Sequence, residues 1–518
     1  MPDNGGLARL GSFIEDNRKN GRNIMLLDSG DMWSGTLLSN SNEGQLGVQA
    51  FRMLGYTAAA VGNHEFDYGT VDNDPEGDDL GALKQRLAEA GFPILAANLI
   101  DRSTGAPPDW PGLGRTLLVE KGGFKIGIIG LVTEETPLIT FPYVGKSLEF
   151  TDVAEVVKTE APKLRAQGAE LIFIVSHLGG ECTEFKDIDD LSSCVPNSEA
   201  FKLARALEPG TVDVLFGGHT HQRVAHRVNG TLILQSGQYS QYVSVLDIER
   251  VAGKPVLHVR PHHLLTGEAT GALAESITKL LESAQGPIEE MRSRTLGVAL
   301  LSPLKRSQGE SSPVGNLICA WLQRLHPETE ICLVNSGGLR NDFPAGPLTY
   351  GALYDVLPFS NIAAIMHLKG SELMEMLTLS TTGGHGVLQT SGLQVTYDQG
   401  RDPCPSTDRN GDGKVDQRDR DRLVSVTLAD GSALEPERLY PIVTNSFIAA
   451  GGDGYAPLIN QIPAARIKVS PLGLPFRDDI AEMLQKEKPS VDTTSDSRLF
   501  QMRVKRIGEP FNGSCGQD

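Results

Sequence analysis

Val61-Gly62-Asn63-His64-Glu65-Phe66-Asp67 follows directly on Ala58-Ala59-Ala60, and the fold turns on how this stretch is read. A short run of small and branched apolar residues stopped by a glycine reads as a buried parallel strand, which puts Asn63, His64 and Asp67 in the loop at its carboxyl end. In open α/β sheets, sites are built at that end. Three more segments share the design: Ile24 to Asp31 (IMLLDSGD), Leu171 to His177 (LIFIVSH) and Val212 to His221 (VDVLFGGHTH). With these strands side by side in one sheet, Asp31, Asn63, His64, His177, His219 and His221 gather on one rim. Oxygen and imidazole ligands in such a cluster suit a pair of divalent metals. Taken singly, an aspartate at a strand tip is ordinarily a helix cap and a histidine an ordinary surface or core residue. The ordered set points to metal chemistry; Asp28, His226, His258, His262, His263, His326, His367 and His385 keep the ordinary reading.

The 518 residues exceed one typical domain, and 40% hydrophobic residues suffice for full cores. A formal net charge of -18 argues against a nucleic-acid polymer or an anionic membrane surface as partner, though not against a local basic pocket for a small anion. No apolar run approaches the roughly 18 residues of a membrane span, and the first residues carry no basic-then-apolar signal pattern. The six cysteines form no metal-type CxxC pair. Cys182 and Cys194 flank an acidic segment after the His177 strand, and the spacing leaves a loop-closing disulfide and two free thiols both open.

Along the chain, Leu7 to Arg22 has helical spacing, as has Val153 to Gln167. Ile94 to Leu99, Ile126 to Val132 and Leu232 to Gln235 read as strands. Val228-Asn229-Gly230-Thr231 reads as a tight hairpin turn, which is a sufficient reading of the glycosylation sequon that it also contains. Ala272 to Met291 is helical, with a break expected at Gly286-Pro287, and marks a domain boundary near 270 to 295. The expected division is a first domain over 1–268, a connecting helix over 269–295, a second domain over 296–505 and a tail over 506–518.

Gly30-Asp31, Gly62-Asn63-His64-Glu65, His177 and Gly218-His219-Thr220-His221, in this order, resemble the metallophosphoesterase half of the 5'-nucleotidase and UDP-sugar hydrolase family. The resemblance implies an α/β fold: an N-terminal four-layer metallophosphoesterase sandwich and a C-terminal α/β substrate-binding domain. It implies two divalent transition metals (zinc, manganese or cobalt). Asp31 would bridge them, Asn63, His177 and His219 would bind the second and His221 the first. His64 resembles the family's catalytic histidine and Asp67 its orienting partner. Members begin with one more strand ending in an Asp-x-His pair for the first metal. Here Gly5-Gly6-Leu7-Ala8-Arg9 resembles the segment that follows that pair, so the expectation is a chain that lacks this strand and any export signal ahead of it.

The second half resembles the family's C-terminal domain, through Pro313-Val314-Gly315-Asn316, Asn335-Ser336-Gly337-Gly338-Leu339-Arg340, Leu357-Pro358-Phe359 and Thr444 to Tyr455 (TNSFIAAGGDGY). The resemblance implies that Phe359 and Phe447 sandwich a nucleobase, that Asn335, Gly337 and Asp453 contact base or ribose, and that Arg340 contacts phosphate. Asp408 to Asp419 (DRNGDGKVDQRD) stands apart. Its oxygen side chains at Asp408, Asn410, Asp412, Asp416 and Asp419, with Lys414 at the main-chain carbonyl position and Gly413 at the turn, follow the spacing of an EF-hand calcium loop. Position 12 is an aspartate, as in loops of dockerin modules, and the segment reads as a structural clip on an inserted loop.

These readings imply a phosphohydrolase that releases phosphate from nucleoside 5'-monophosphates and other nucleotides. Hydrolysis of UDP-sugars or 2',3'-cyclic nucleotides is the neighbouring alternative, and a non-catalytic nucleotide- or metal-binding protein is the alternative from another class. The resemblance implies a periplasmic or extracellular protein.

Overall fold

The computed structural model describes residues 4–509 except 41, 75, 383–385, 403, 408–414, 416–418, 470–474, 490 and 492–497. The chain divides into two compact units, Met1–Gly286 and Pro287–Asp518.

In the first unit a parallel four-stranded sheet orders the strands Leu27–Asp28, Ala58–Ala60, Ile94–Leu95 and Leu113–Gly114. A six-stranded sheet orders Arg223–Val228, Thr231–Ser236, Val214–Phe216, Leu171–His177, Phe124–Val132 and Thr116–Lys121, parallel in its middle and antiparallel at both edges. The four site-bearing strands therefore belong to two sheets, not to one as their sequence suggested. The reason is side-chain alternation. Ala58 and Ala60 face a core shared with Ile126, Ile128, Phe173 and Val175 of the larger sheet, whereas Ala59 and Val61 face a second core with Leu10, Ile14, Val48, Phe51 and Leu87. Both faces of the strand are buried, so its sequence carries no mark of a sheet-on-sheet contact.

The second of these cores is built with the helices Leu7–Lys19, Gln45–Leu54 and Gly81–Glu89, and a third core sets Val153–Ala166 and Glu199–Ala206 against the outer face of the larger sheet. The result is helix, sheet, sheet, helix: four layers. Gly130 marks how closely the sheets approach, since a Cβ there would lie 2.0 Å from the Leu95 Cβ. The Asn229-Gly230 turn is realised as a hairpin, both residues at positive φ (49° and 84°), which suits the twist of the strands it joins.

The helix Ala272–Ser293 is continuous. The break expected at Gly286-Pro287 is absent, because Pro287 forfeits one main-chain bond at an exposed turn, where water can serve the freed carbonyl.

In the second unit a five-stranded sheet orders Leu388–Ser391, Ile331–Asn335, Leu439–Asn445, Ala363–Lys369 and Ile467–Val469. Ile331–Asn335 and Leu439–Asn445 run parallel, so Asn335 and Asn445 end neighbouring strands on the same side. The helix Pro313–Leu325 is capped by Ser312, whose side chain accepts the Gly315 N–H, and has proline at its first position. A disulfide joins Cys319 of this helix to Cys332 of the adjoining strand, and another joins Cys182 to Cys194. The hairpin strands Leu393–Asp398 and Leu423–Leu428 pair antiparallel and flank the calcium-type segment. Of that segment Asp408, Asn410, Asp412, Lys414 and Asp416 lie outside the described residues, while Asp419 is fully buried.

Candidate active site and metal centre

After Leu27–Asp28 the chain turns sharply: the Gly30 N–H donates to Asp28 Oδ1 at 3.1 Å, and Gly30 and Asp31 take φ of 91° and 59°. A left-handed aspartate needs something to hold it. Glu65, fully buried in the short turn His64–Phe66, provides this. Its Oε2 accepts the N–H of Asp31 at 2.8 Å and of Gly62 at 2.6 Å, and its Oε1 accepts the N–H of Met32 at 2.7 Å. One carboxylate thus staples the loops after two neighbouring strands. Asp31 Oδ1 also accepts the His64 N–H at 2.9 Å, and a Cβ on Gly62 would lie 2.2 Å from that oxygen. Only glycine fits between the two loops. Burial, reinforced by the Asp31 charge, pushes Glu65 up to about 7.

His177 ends the strand Leu171–His177 with its side chain buried. Its Nδ1 lies 2.7 Å from the Ser29 carbonyl, to which it can only donate. Its Nε2 lies 3.0 Å from both Asp31 Oδ2 and Asn63 Oδ1. Burial favours the neutral ring, but the Asp31 carboxylate overrides it and lifts His177 to about 9. Burial would likewise raise Asp31, yet the charges of His177 and His64 hold it well below the usual carboxylate range.

His219 and His221 both have positive φ (69° and 58°), a backbone shape that turns the His-Thr-His segment. Between them, Thr220 donates its Oγ1 hydrogen to the Gly180 carbonyl at 2.7 Å and accepts one from Gln235 Nε2 at 2.8 Å. The His219 ring stands 5.0 Å from the His177 ring, centroid to centroid. Burial, then the neighbouring His177 charge, pushes His219 down to about 3, so its lone pair stays available. His64 Nδ1 lies 2.7 Å from Asp67 Oδ2, a pair whose side chains are each about one-fifth exposed.

The donor set fits a divalent cation. With His177 Nδ1 committed to Ser29, its Nε2 converges with two oxygens, Asp31 Oδ2 and Asn63 Oδ1, that are acceptors only. Such a trio needs a shared positive charge: a proton on Nε2 supplies one, a metal ion supplies a larger one. The Ser29 carbonyl fixes the ring tautomer, as carbonyls commonly do behind metal-binding imidazoles. Asp31, Asn63, His64, Asp67, His177 and His219 are therefore in contact or one ring apart.

In the second unit Asn335 Nδ2 donates to Asp453 Oδ2 at 2.9 Å, and Asn445 Nδ2 donates to Asn335 Oδ1 at 2.9 Å. Asn445 Oδ1 in turn accepts the Ile448 N–H at 2.9 Å. This chain orients Asn335 and Asp453, the latter at φ 55°. The Arg340 guanidinium lies 5.8 Å from the Phe359 ring centre and its Nη1 donates to the Gly337 carbonyl at 3.4 Å. Phe447 covers Gly452, where a Cβ would lie 2.4 Å from the ring. A pocket lined by Val334, Gly338, Leu357, Phe359, Asn361, Asn445 and Phe476 lies beside Phe359, and Asn361 Oδ1 is buried there without a partner.

Glu65, Asn361 and Asn445 escaped sequence reasoning. Glu65 and Asn445 stood within stretches already singled out, but a polar letter at a strand tip does not tell whether it faces ligand or backbone. Glu199 carried no signal: it accepts hydrogen bonds from Thr133 Oγ1 and the Gly179 N–H behind the His177 loop, and burial pushes it up to about 7.

Comparison with known proteins bears on both units. Residues 3–223 match the family model for calcineurin-like phosphoesterases, and residues 293–460 match that for the 5'-nucleotidase C-terminal domain. The chain is 28% identical over 485 residues to the snake venom 5'-nucleotidase of Naja atra, covering 87% of this chain and 85% of that protein. It is 26% identical over 454 residues to endonuclease YhcR of Bacillus subtilis, covering 86% of this chain but only 34% of that longer protein. Among solved structures, a 5'-nucleotidase precursor from Thermus thermophilus superposes with a TM-score of 0.78 at 26% identity, over 98% of this chain and 94% of that one.

Proposed function

We propose that this chain, which belongs to the family joining a calcineurin-like phosphoesterase domain to a 5'-nucleotidase C-terminal domain, releases phosphate from nucleoside 5'-monophosphates. It is a phosphoric ester hydrolase with divalent metal cofactors; the substrate, the ligand roles and the metal identities are the proposal. The observation that carries it is the convergence of His177 Nε2, Asp31 Oδ2 and Asn63 Oδ1 beside the His64–Asp67 pair.

In this reading Asp31, Asn63, His177 and His219 hold one divalent ion, and Asp31 and His221 contribute to a second, drawn from zinc, manganese and cobalt. When bound, such ions acidify water and neutralise phosphoryl oxygens. Asp67 accepts the Nδ1 hydrogen of His64, which fixes the ring and leaves Nε2 as the atom assigned to the phosphoryl group. An imidazolium so held stabilises charge that develops on an oxygen in the transition state. Glu65 acts one step back, by keeping Asp31 in its left-handed pose.

In the second unit Asn335 and Asp453, pre-oriented by Asn445, take base and ribose hydroxyls, with Gly337 leaving room for the ligand. Arg340 takes phosphate, and Phe359 and Phe447 take the faces of the base. Base stacking on an aromatic ring is worth ~1 to 3 kcal/mol. Phe447→Ala should therefore raise KM for adenosine monophosphate about 5- to 150-fold. A small aryl phosphate should be unaffected; equal effects on both substrates would refute the assignment.

UDP-sugars and cyclic nucleotides also carry a base and a ribose, so hydrolysis of these is the second reading, and a substrate panel separates them. The Asp408 to Asp419 segment is proposed as a calcium clip. The Cys182–Cys194 and Cys319–Cys332 disulfides fit an exported, oxidising location, and no helix among the described residues is long and apolar enough to cross a membrane.

A further inference from the structure

Away from the site described above, one cluster has the composition of a metal site and a covalent bond where the metal would be. Cys182 and Cys194 face each other across an isolated antiparallel bridge, five residues beyond the end of the His177 strand, and their disulfide closes the acidic loop between them. Both are buried, as is His226 on the strand Arg223–Val228. One ring nitrogen of His226 and both sulfurs lie within 4.8 Å of one another. Among the described residues no other three side chains drawn from His, Cys, Asp and Glu gather so tightly; the Asp31 centre depends on Asn63 to close.

The second observation is the state of that imidazole. His226 Nε2 lies 2.8 Å from the Glu184 carbonyl, to which it donates, and in the tautomer that this bond selects the ring lone pair sits on Nδ1. Nδ1 is buried and has no hydrogen-bond partner. A ring anchored by a main-chain carbonyl through one nitrogen, with the other bare, is how ligating histidines are held. A second imidazole, His262, stands 4.9 Å from the same Phe185 ring that His226 approaches at 6.3 Å, and both of its nitrogens are buried without partners. Burial, then the charge of Arg223, pushes His262 down to about 4, so the pocket holds uncharged imidazole.

Charge explains why two thiolates are needed. The Arg223 guanidinium lies 5.0 Å from the Phe185 ring, so a divalent ion bound by imidazole alone would add two positive charges beside a fixed one. Two thiolates cancel that charge and supply the soft donors that zinc-class ions prefer.

We propose that Cys182, Cys194 and His226 form a redox-gated site for a zinc-class divalent ion, with the same loop closed by a disulfide when oxidised and by a thiolate–imidazole metal clip when reduced. The chemistry balances: an external dithiol gives two electrons and two protons to the S–S bond and leaves as its own disulfide. The two new thiols then release two protons as the ion binds. Metal–sulfur bonds of about 2.3 Å in tetrahedral geometry require the sulfurs to part to about 3.8 Å, a small movement for a loop. Water takes the fourth position.

The test uses the full chain, stripped of metal with chelator, reduced with a water-soluble phosphine and titrated with cobalt(II) under argon. Thiolate-to-cobalt charge transfer in the near ultraviolet reports sulfur ligation, which the oxygen and nitrogen donors around Asp31 cannot produce. The expected result is one thiolate-bound cobalt per reduced chain and none in the oxidised chain or in Cys194→Ser. His226→Ala should weaken cobalt binding at least about tenfold, with His226→Gln as a second variant should alanine disturb packing. Limited proteolysis within 183–193 should be fast in the reduced, metal-free chain and slowed by added zinc. A reduced chain without the band, a band that survives Cys194→Ser, or cobalt affinity indifferent to both His226 variants would overturn the proposal. So would a Cys182–Cys194 bond that stays intact under the phosphine while the native circular dichroism persists.

Discussion

Replacing Glu65 tests whether the site is organised from behind rather than by the ligands themselves. Its carboxylate accepts three main-chain N–H groups, two at Oε2 and one at Oε1, and it is fully buried. Glu65→Ala leaves all three donors without an acceptor, at ~1 to 3 kcal/mol each, so the first unit should lose roughly 3 kcal/mol or more. Glu65→Gln is the graded case. Its one remaining oxygen keeps the Asp31 and Gly62 bonds if it occupies the Oε2 position, and the amide NH2 then meets the Met32 N–H. That variant should lose about 1 to 3 kcal/mol. Urea unfolding followed by circular dichroism measures both, with the transition of the first unit read separately from that of the second. Because Asp31 is released from φ 59°, metal affinity should fall in the same order, Ala more than Gln. Stability of Glu65→Ala within about 0.5 kcal/mol of the parent, or equal metal affinity in all three proteins, would refute the reasoning.

Two further outcomes follow from the same geometry. Asp67→Asn keeps the shape of the His64 partner but removes its charge; kcat should fall by about one to two orders of magnitude, and His64→Ala by about 10²- to 10⁴-fold, while both variants keep metal affinity, measured by calorimetry. For the chelator-treated protein the pH dependence has a definite sign. His177 is raised from 6.5 to about 9 when folded, so its contribution to stability is fully present below 6.5 and is lost as pH rises through 9. The melting temperature should therefore fall between pH 7 and pH 10, and His177→Gln should flatten that part of the profile; an unchanged slope would assign it elsewhere.

Much of the fold was legible because local chemistry and tertiary role coincide. Asn229-Gly230 reads as a tight hairpin turn and forms one, and a strand stopped by Gly62 reads as presenting Asn63 and His64 at its tip, where the structure has them. What was not legible depended on partners distant in sequence. The run Ala58 to Val61 is buried on both faces, so nothing in it says that one face meets a second sheet; that contact is visible only where Gly130 meets Leu95. Pro287 reads as a helix break, yet an exposed turn tolerates it. Cys319 and Cys332 pair because a helix happens to cover a strand, which spacing cannot reveal.

The site divides the same way. Types and order singled out Asp31, Asn63, His64, His177 and His219, and the structure brings these five residues together. Glu65 reads as one more polar residue in a polar loop, because a carboxylate that binds backbone looks in sequence like one that binds metal. Asn445 was hidden for a similar reason: its partner is Asn335, 110 residues away, and only the parallel pairing of their strands makes them neighbours.

The most direct test of the account is phosphate release from adenosine 5'-monophosphate by the chain loaded with manganese, cobalt or zinc, with His64→Ala as the blank. Metal-dependent release well above the blank, abolished by chelator, is the expected result. Tight nucleotide binding by calorimetry with no release above the blank, under any of the three metals, would contradict it.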